Sequence, residues 1–262
     1  MKRFLNDVKK YWAYTKYSAK SGLKSEVASS RLSWLWWILD PLMFMMIYVF
    51  IAKVIGSSKL NYFEVFVFIG LSIWNFFNKT ITDSVKIVSA NSAIVSKVYI
   101  PKYMLILSTL MQYAFKMFIS FSLVVIMMIV YRVPVTWNYL YFIPILLTLF
   151  LITFAISTIV AHLGVFIEDL KNVIQILLRL VFYLSGIFYS LESKLKLEPL
   201  LSYLLLKLNP SACLIQECRN VLLYNKGMDI KIVLAWFIVG LAFSALGIRT
   251  IYKYENSYVK VI

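Results

Sequence analysis

Residues 78–103 read NKTITDSVKIVSANSAIVSKVYIPKY, a polar and basic stretch held between two apolar runs. FEVFVFIGLSIWNFF (63–77) precedes it, and MLILSTLMQYAFKMFISFSLVVIMMIV (104–130) follows it. Sustained apolar runs of this kind mark membrane spans. A few residues suffice to join two spans. An insertion this long and polar therefore reads as a surface that touches something on one side of a bilayer.

The rest of the chain agrees with a membrane setting. Of 262 residues, 61% are hydrophobic and the mean hydropathy is +0.80, more apolar surface than a soluble core of this size can hide. Six spans are expected, at 34–55, 62–77, 104–130, 139–166, 173–189 and 230–252. The second and fifth are short for a 30 Å hydrocarbon layer, so each is expected to bend or to run on into a part-buried segment. The expected fold class is an all-α integral membrane protein. Residues 1–33 form an amphipathic interfacial segment, 34–252 the six-span domain, and 253–262 a cytoplasmic tail.

Net charge is +15, with basic residues crowding the flanks of the apolar runs. The positive-inside bias and anionic headgroups account for that placement, and nucleic acid is not an expected partner. Lys and Arg number eight in 1–33, four in 78–104, one in 166–175 and three in 249–262, sixteen against eight in the alternate loops. The count favours an N-in, C-in topology with residues 78–104 in the cytoplasm.

In the first segment Phe4, Leu5, Val8, Tyr11 and Trp12 recur at helical spacing, with lysines largely off that stripe. Such a helix lies among lipid headgroups or packs on a protein. MKRFLNDVKKYW lacks the apolar core and small-residue cleavage site of a signal peptide, so it is expected to be retained. Between the fifth and sixth spans, LEPLLSYLLLKL and SACLIQECRNVLLY flank Asn209-Pro210. Two short apolar helices around that break suggest a re-entrant hairpin at 190–229, or a helical pair resting on the outer surface.

No residues suggest chemistry performed by this chain alone. There is no G-x-x-x-x-G-K-[ST] phosphate loop, no Ser/His/Asp or Cys/His set, and one histidine with two cysteines cannot assemble a metal cluster. Asp40 and Glu64 sit near span ends rather than paired at mid-bilayer, unlike a proton relay. No catalytic residue, metal site or bound cofactor is therefore expected. The spans are instead rich in aromatics. Trp34, Trp36, Trp37, Tyr48, Tyr183 and Tyr189 either belong to an interfacial belt or line a path where flat faces stack on sugar rings. Arg179 and Lys116 are intramembrane cations, which face a cavity or a partner or else snorkel. Asp169 is placed to cap the fifth span, with a gating ion pair as the sharper alternative.

Four blocks in order resemble the membrane subunits of type-2 ABC exporters, particularly those that move lipid-linked polysaccharide or teichoic acid. They are SRLSWLWWILDPLMFMMIYVF, FIGLSIWNFFNKTITDSVKIVSANSAIVSKVYIPKYML, VFIEDLKNVIQILLRLVFYLSGIFY and LNPSACLIQECRNVLL. Two departures stand out: Glu168 precedes Asp169 where the family often has Arg, and Gly186 stands where a proline is common. The resemblance implies a homodimer in the bacterial plasma membrane, with two cytoplasmic ATPase subunits that bind ATP and magnesium. It implies a polyisoprenyl-linked glycan substrate and a coupling helix near 82–96. Asp83, Lys86, Ser89, Asn91, Val95 and Lys97 become the candidate ATPase contacts. Trp34, Trp37, Tyr48, Arg179, Tyr183 and Tyr189 become the candidate channel lining, and Asp169, Asn209, Pro210 and Arg219 candidate gating or structural residues. A drug or lipid exporter of the same fold, or a membrane glycosyl- or acyltransferase, are the alternatives.

Overall fold

The computed structural model describes residues 2–28, 33–54, 60–191, 200 and 203–261. Among these the chain is helical, with no strand. The helices are α1 (Lys2–Ala28), α2 (Ser33–Val54), α3 (Phe63–Val85), α4 (Ile87–Ala90), α5 (Ser92–Val95), α6 (Lys102–Val130), α7 (Phe142–Phe166), α8 (Leu170–Leu184), α9 (Pro210–Leu222) and α10 (Ile230–Val261). A 3₁₀ turn, Trp137–Tyr141, leads into α7, and a π turn, Leu204–Leu208, comes before α9.

Five of these elements are long and apolar enough to cross a membrane: Trp34–Ile51, Phe63–Val85, Lys102–Val130, Trp137–Phe166 and Ile230–Tyr258. The expected fifth span, 173–189, is not such a helix. It is α8, 15 residues long, or about 22 Å at 1.5 Å per residue. Gly186 ends this region at φ +62, a left-handed value that a side chain would resist. The expected second span is longer than its apolar run, because α3 continues through Asn78 to Val85. Its polar residues are absorbed by back-bonding. Thr80 Oγ1 donates to Phe76 O (2.7 Å) and Ser84 Oγ to Thr80 O (2.6 Å). The expected tail at 253–262 is likewise helical, as α10 runs on to Val261.

α3 is the hub. Of its apolar window 78% is buried, against 17% for α2 and 22% for α10, so those two helices flank the bundle. α7 packs on α3 and α10, and α6 on α3 and α1.

α1 uses its apolar stripe differently from the expectation. Phe4, Val8, Tyr11 and Tyr14 pack into the core, while Leu5 and Trp12 face outward. The helix lies beside the first turns of α6, with Thr15 on Met104 Sδ (3.5 Å), Ser18 on Ser108 (3.0 Å) and Glu26 on Lys116 (2.6 Å).

Two opposite ends follow from the contacts. At one, Arg3 donates to Glu255 Oε1 (2.8 Å) and to Tyr99 OH (2.7 Å), joining α1, the segment after α5 and α10. At the other, Asn138 Nδ2 donates to Asn225 (O 3.0 Å, Oδ1 2.7 Å), and Lys207 pairs with Asp229 at 2.8 Å.

α9 is the buried part of the expected 190–229 hairpin; residues 192–199, 201 and 202 lie outside the described set. Asn209 caps it. Its Oδ1 accepts from Ser211 N (3.1 Å), Ser211 Oγ (2.7 Å) and Ala212 N (3.3 Å), while Pro210 occupies the first turn. Asn and Pro are favoured at these two positions because one supplies an acceptor and the other lacks a donor that would go unused. The cap also ties α9 to the end of α8, as Asn209 Nδ2 donates to Ser185 Oγ (3.2 Å) and Ser185 meets Ser211 at 2.8 Å. Asp169 stands at the corresponding position of α8 but makes no side-chain cap. Its carboxylate favours the positive end of that helix without the expected hydrogen bond.

Candidate functional site

Three adjoining cavities surround the polar face of α3. The largest, about 530 Å³, lies among α1, α2, α3 and α6 and is lined by Glu26, Trp36, Trp37, Asp40, Asn75, Lys79, Tyr113 and Lys116. The second, about 240 Å³, is enclosed by Tyr48, Trp74, Asn75, Asn78, Leu178, Arg179 and Phe182. The third, about 280 Å³, is walled by Asn78, Lys79, Thr82, Asp83, Lys171, Gln175 and Arg179. Shared walls at Asn75, Asn78, Lys79 and Arg179 make them one groove. It is charged around Asp83, Lys171 and Arg179, aromatic around Tyr48, Trp74 and Phe182, and mixed in the largest cavity, where Glu26, Asp40, Lys79 and Lys116 stand with Trp36, Trp37 and Tyr113.

The aromatic end is packed rather than loose. Tyr48 stacks on Phe188 with ring centroids 3.7 Å apart, and Phe182 lies edge-on to Phe188 at 5.2 Å and tilted to Trp74 at 5.4 Å. Such rings offer flat faces that tolerate varied hydroxyl patterns. Of the channel residues expected from sequence, Trp37, Tyr48 and Arg179 line the groove. Trp34 is 57% exposed and Tyr183 65% exposed, both outside these cavities. Tyr189 donates its hydroxyl to Tyr183 O (2.6 Å), so that hydroxyl is engaged with backbone.

Trp74, Asn75, Phe182 and Phe188 were not among the channel residues expected from sequence. A signal existed in the alternation of α8. Lys171, Gln175 and Arg179 recur every four residues on one stripe, with Leu178 and Phe182 on an adjacent one. Lys116 is resolved as an internal partner. It pairs with Glu26 at 2.6 Å and lies over the rings of Tyr113 (4.7 Å) and Trp37 (5.8 Å), and Trp37 Nε1 donates to Glu26 (3.2 Å).

A second surface is built by α4, α5 and the turn after them. Val95 is buried and Asn91 Nδ2 donates to Ile87 O (2.7 Å), so both serve the fold of the segment. Ser89 is half-buried and Lys97 exposed. Asp83 receives the Tyr113 hydroxyl. Lys86 turns inward, donating to Gly164 O and Ile167 O at 3.3 Å each, where it closes the carboxyl end of α7. The approach is close. A Cβ on Gly164 would stand 1.9 Å from Val85 O. What faces outward is Ile94, Lys97, Val98 and Tyr99, with Ile94, Val98 and Tyr99 42%, 55% and 47% exposed. Sequence reading missed Ile94 and Val98.

This surface is wired to both termini of the helical chain. Tyr99 OH donates to Glu255 Oε2 (3.0 Å) and accepts from Arg3. The Glu255 carboxylate and the Tyr99 hydroxyl hold the Arg3 guanidinium above its ordinary range, while burial raises the Tyr99 phenol. Beneath them Tyr252 OH donates to Asp7 (2.5 Å), Tyr103 meets Tyr252 at 2.8 Å, and Arg3 lies 4.2 Å over the Tyr252 ring.

Arg219 is the most buried charge among the described residues. It is 1% exposed on α9 and donates to Phe66 O (3.1 Å), Gly186 O (2.9 Å) and Ile187 O (2.8 Å), with its guanidinium 3.4 Å over the Phe66 ring. It locks α9 to α3 and to the turn after α8. These contacts are structural, made entirely within the bundle.

Known proteins are similar to this chain in sequence. The chain is 25% identical over 242 residues to "O-antigen export system permease protein RfbA" of Klebsiella pneumoniae, covering 92% of this chain and 91% of that protein. A Myxococcus xanthus protein of the same description is 26% identical over 213 residues, with 81% of each chain covered. The sequence profile described as ABC-2 type transporter matches residues 15–223, from α1 to the end of α9. The chain therefore belongs to the ABC-2 type transporter family.

Proposed function

We propose that this chain is the permease subunit of a bacterial exporter that moves a polyisoprenyl-linked polysaccharide across the plasma membrane. The observation that carries the reading is the groove along α3, which sets charged and aromatic side chains side by side. It fits an amphiphilic, sugar-bearing cargo better than an apolar drug. The relatives named as O-antigen export permeases support the same substrate class.

In this reading the end bearing Arg3, α4–α5 and Glu255 lies in the cytoplasm, and both termini share that side. α8 with the turn after it completes a sixth crossing, and α9 with its Asn209-Pro210 cap is the re-entrant element. ATP and magnesium act in two separate cytoplasmic ATPase subunits, which dock on Ile94, Lys97, Val98 and Tyr99. A second copy closes the groove along α2 and α8. Arg179 supports that arrangement, because an exposed guanidinium on a helix whose Ile176, Leu177 and Leu180 are also exposed needs water or a partner rather than lipid.

Lys86 and Tyr99 give the docking surface two routes into the bundle. A push on α4–α5 moves the α7–α8 turn through Lys86, and α1 with α10 through Tyr99. The test is removal of the gene from its host. Loss of surface polysaccharide, with lipid-linked glycan retained inside, is expected. Unchanged surface polysaccharide would refute the reading.

A further inference from the structure

We propose that Lys79, Lys171 and Arg179 form a phosphoryl subsite for the diphosphate group that joins a glycan to its isoprenoid carrier. The inference rests on the export reading and adds a ligand to one part of the groove. The three cations wall the same cavity of about 280 Å³, together with Asn78, Thr82 and Gln175. No described ion pair engages any of the three. The cavity's one carboxylate, Asp83, takes the Tyr113 hydroxyl. Three cations against one carboxylate leave this polar cavity with an excess positive charge, although Lys79 also borders the adjoining cavity that holds Glu26 and Asp40, and an anion with several acceptor oxygens is favoured there. Arg179 supplies a planar fork for two oxygens, and the lysines supply point charges.

The neighbourhood suits an amphiphile. α8 turns Lys171, Gln175 and Arg179 to this cavity. Its Ile174, Leu177 and Val181 line an apolar cavity of about 430 Å³. The aromatic cavity that shares Asn78 and Arg179 continues the groove away from the charged mouth. A headgroup at Arg179 thus has apolar wall on one side and stacking rings on another.

The test uses the full chain in nanodiscs of zwitterionic lipid, with farnesyl diphosphate as the probe. Arg179→Gln, and the pair Lys79→Gln with Lys171→Gln, should each weaken binding tenfold or more with melting temperatures unchanged. Lys226→Gln, on the opposite end, should leave it unaltered. Farnesol should not compete, and inorganic diphosphate should compete only at a far higher concentration. Wild-type binding by the variants would overturn the subsite, as would equal competition by phosphatidylglycerol. Equal potency of inorganic diphosphate would assign the site to a free anion and overturn the lipid-borne source. A chain that exports glycan but binds no farnesyl diphosphate refutes the subsite alone. Binding by a chain whose removal leaves surface polysaccharide intact refutes the export reading alone.

Discussion

Replacing Arg219 with Met tests the anchor that fixes α9 and the end of α8 against α3. The guanidinium makes three hydrogen bonds at 2.8–3.1 Å to backbone carbonyls. Bonds to a charged donor contribute about 1.5–3 kcal/mol each, so the gross loss is roughly 4.5–9 kcal/mol. Burying the charge costs several kcal/mol, which Met does not incur. Phe66 O also keeps its helical position, so the Gly186 and Ile187 carbonyls carry most of the loss. A net destabilisation of about 3 kcal/mol follows, or roughly 6–12 °C in melting temperature for a chain of this size. Gly70 supplies the internal check. A Cβ there would stand 2.5 Å from Arg219 Nη2. Gly70→Ala should therefore lower stability by about 1–3 kcal/mol through overpacking. With Met at 219 the guanidinium contact is gone while Ile187 Cγ2 stays 3.3 Å from the added Cβ, so the same change should cost less, about 1 kcal/mol or under. The assay is thermal unfolding of the four proteins in one detergent, read as a double-mutant cycle. Equal effects of Gly70→Ala in both backgrounds would refute the placement of the guanidinium.

Three further outcomes follow from the geometry. Ile94→Asp should reduce co-purification with the partner ATPase about tenfold without altering melting, whereas Val95→Asp should cost about 3 kcal/mol or more in stability by burying a charge. A reversal of those two effects would move the docking surface. Lys86→Met should speed amide exchange at Ile167–Val173, by a few-fold for a contribution of about 1 kcal/mol; unchanged exchange would show that Lys86 does not hold the turn. The Lys207 ammonium holds the Asp229 carboxyl below its ordinary value of 3.8. The folded value is the lower one, so the link stabilises above about pH 4 and is lost as pH falls through the folded value. Trp236, whose Nε1 donates to Lys207 O (3.1 Å), should report the loss as a shift of its fluorotryptophan resonance, absent in Asp229→Asn.

Much of this fold was legible because period and polarity agreed. The long apolar runs became α2, α6, α7 and α10, and Asn209-Pro210 capped a helix. The polar stretch after Phe77 misled for a definite reason. Thr80 and Ser84 satisfy their hydroxyls on carbonyls four residues back, so a polar sequence stays helical and buried. Arg219 was marked as a gating or structural candidate, but its partners were not legible because the acceptors lie 32, 33 and 153 residues away in sequence. In a four-residue helix such as α5 no periodicity separates Val95 from Ile94, and only packing decides which is buried. The groove was half visible. Tyr48 and Arg179 were marked by their chemistry, while Trp74 and Phe182 depend on how α8 meets α3.

The most direct test of the account is photocrosslinking during export. A benzoylphenylalanine at Tyr48 or Phe182 faces the groove, and one at Ile238 lies on the exposed face of α10. With ATP and the partner ATPase present, the first two should capture lipid-linked glycan and the third should not. Capture at Ile238 alone, or equal capture at all three, would contradict a polysaccharide path along α3.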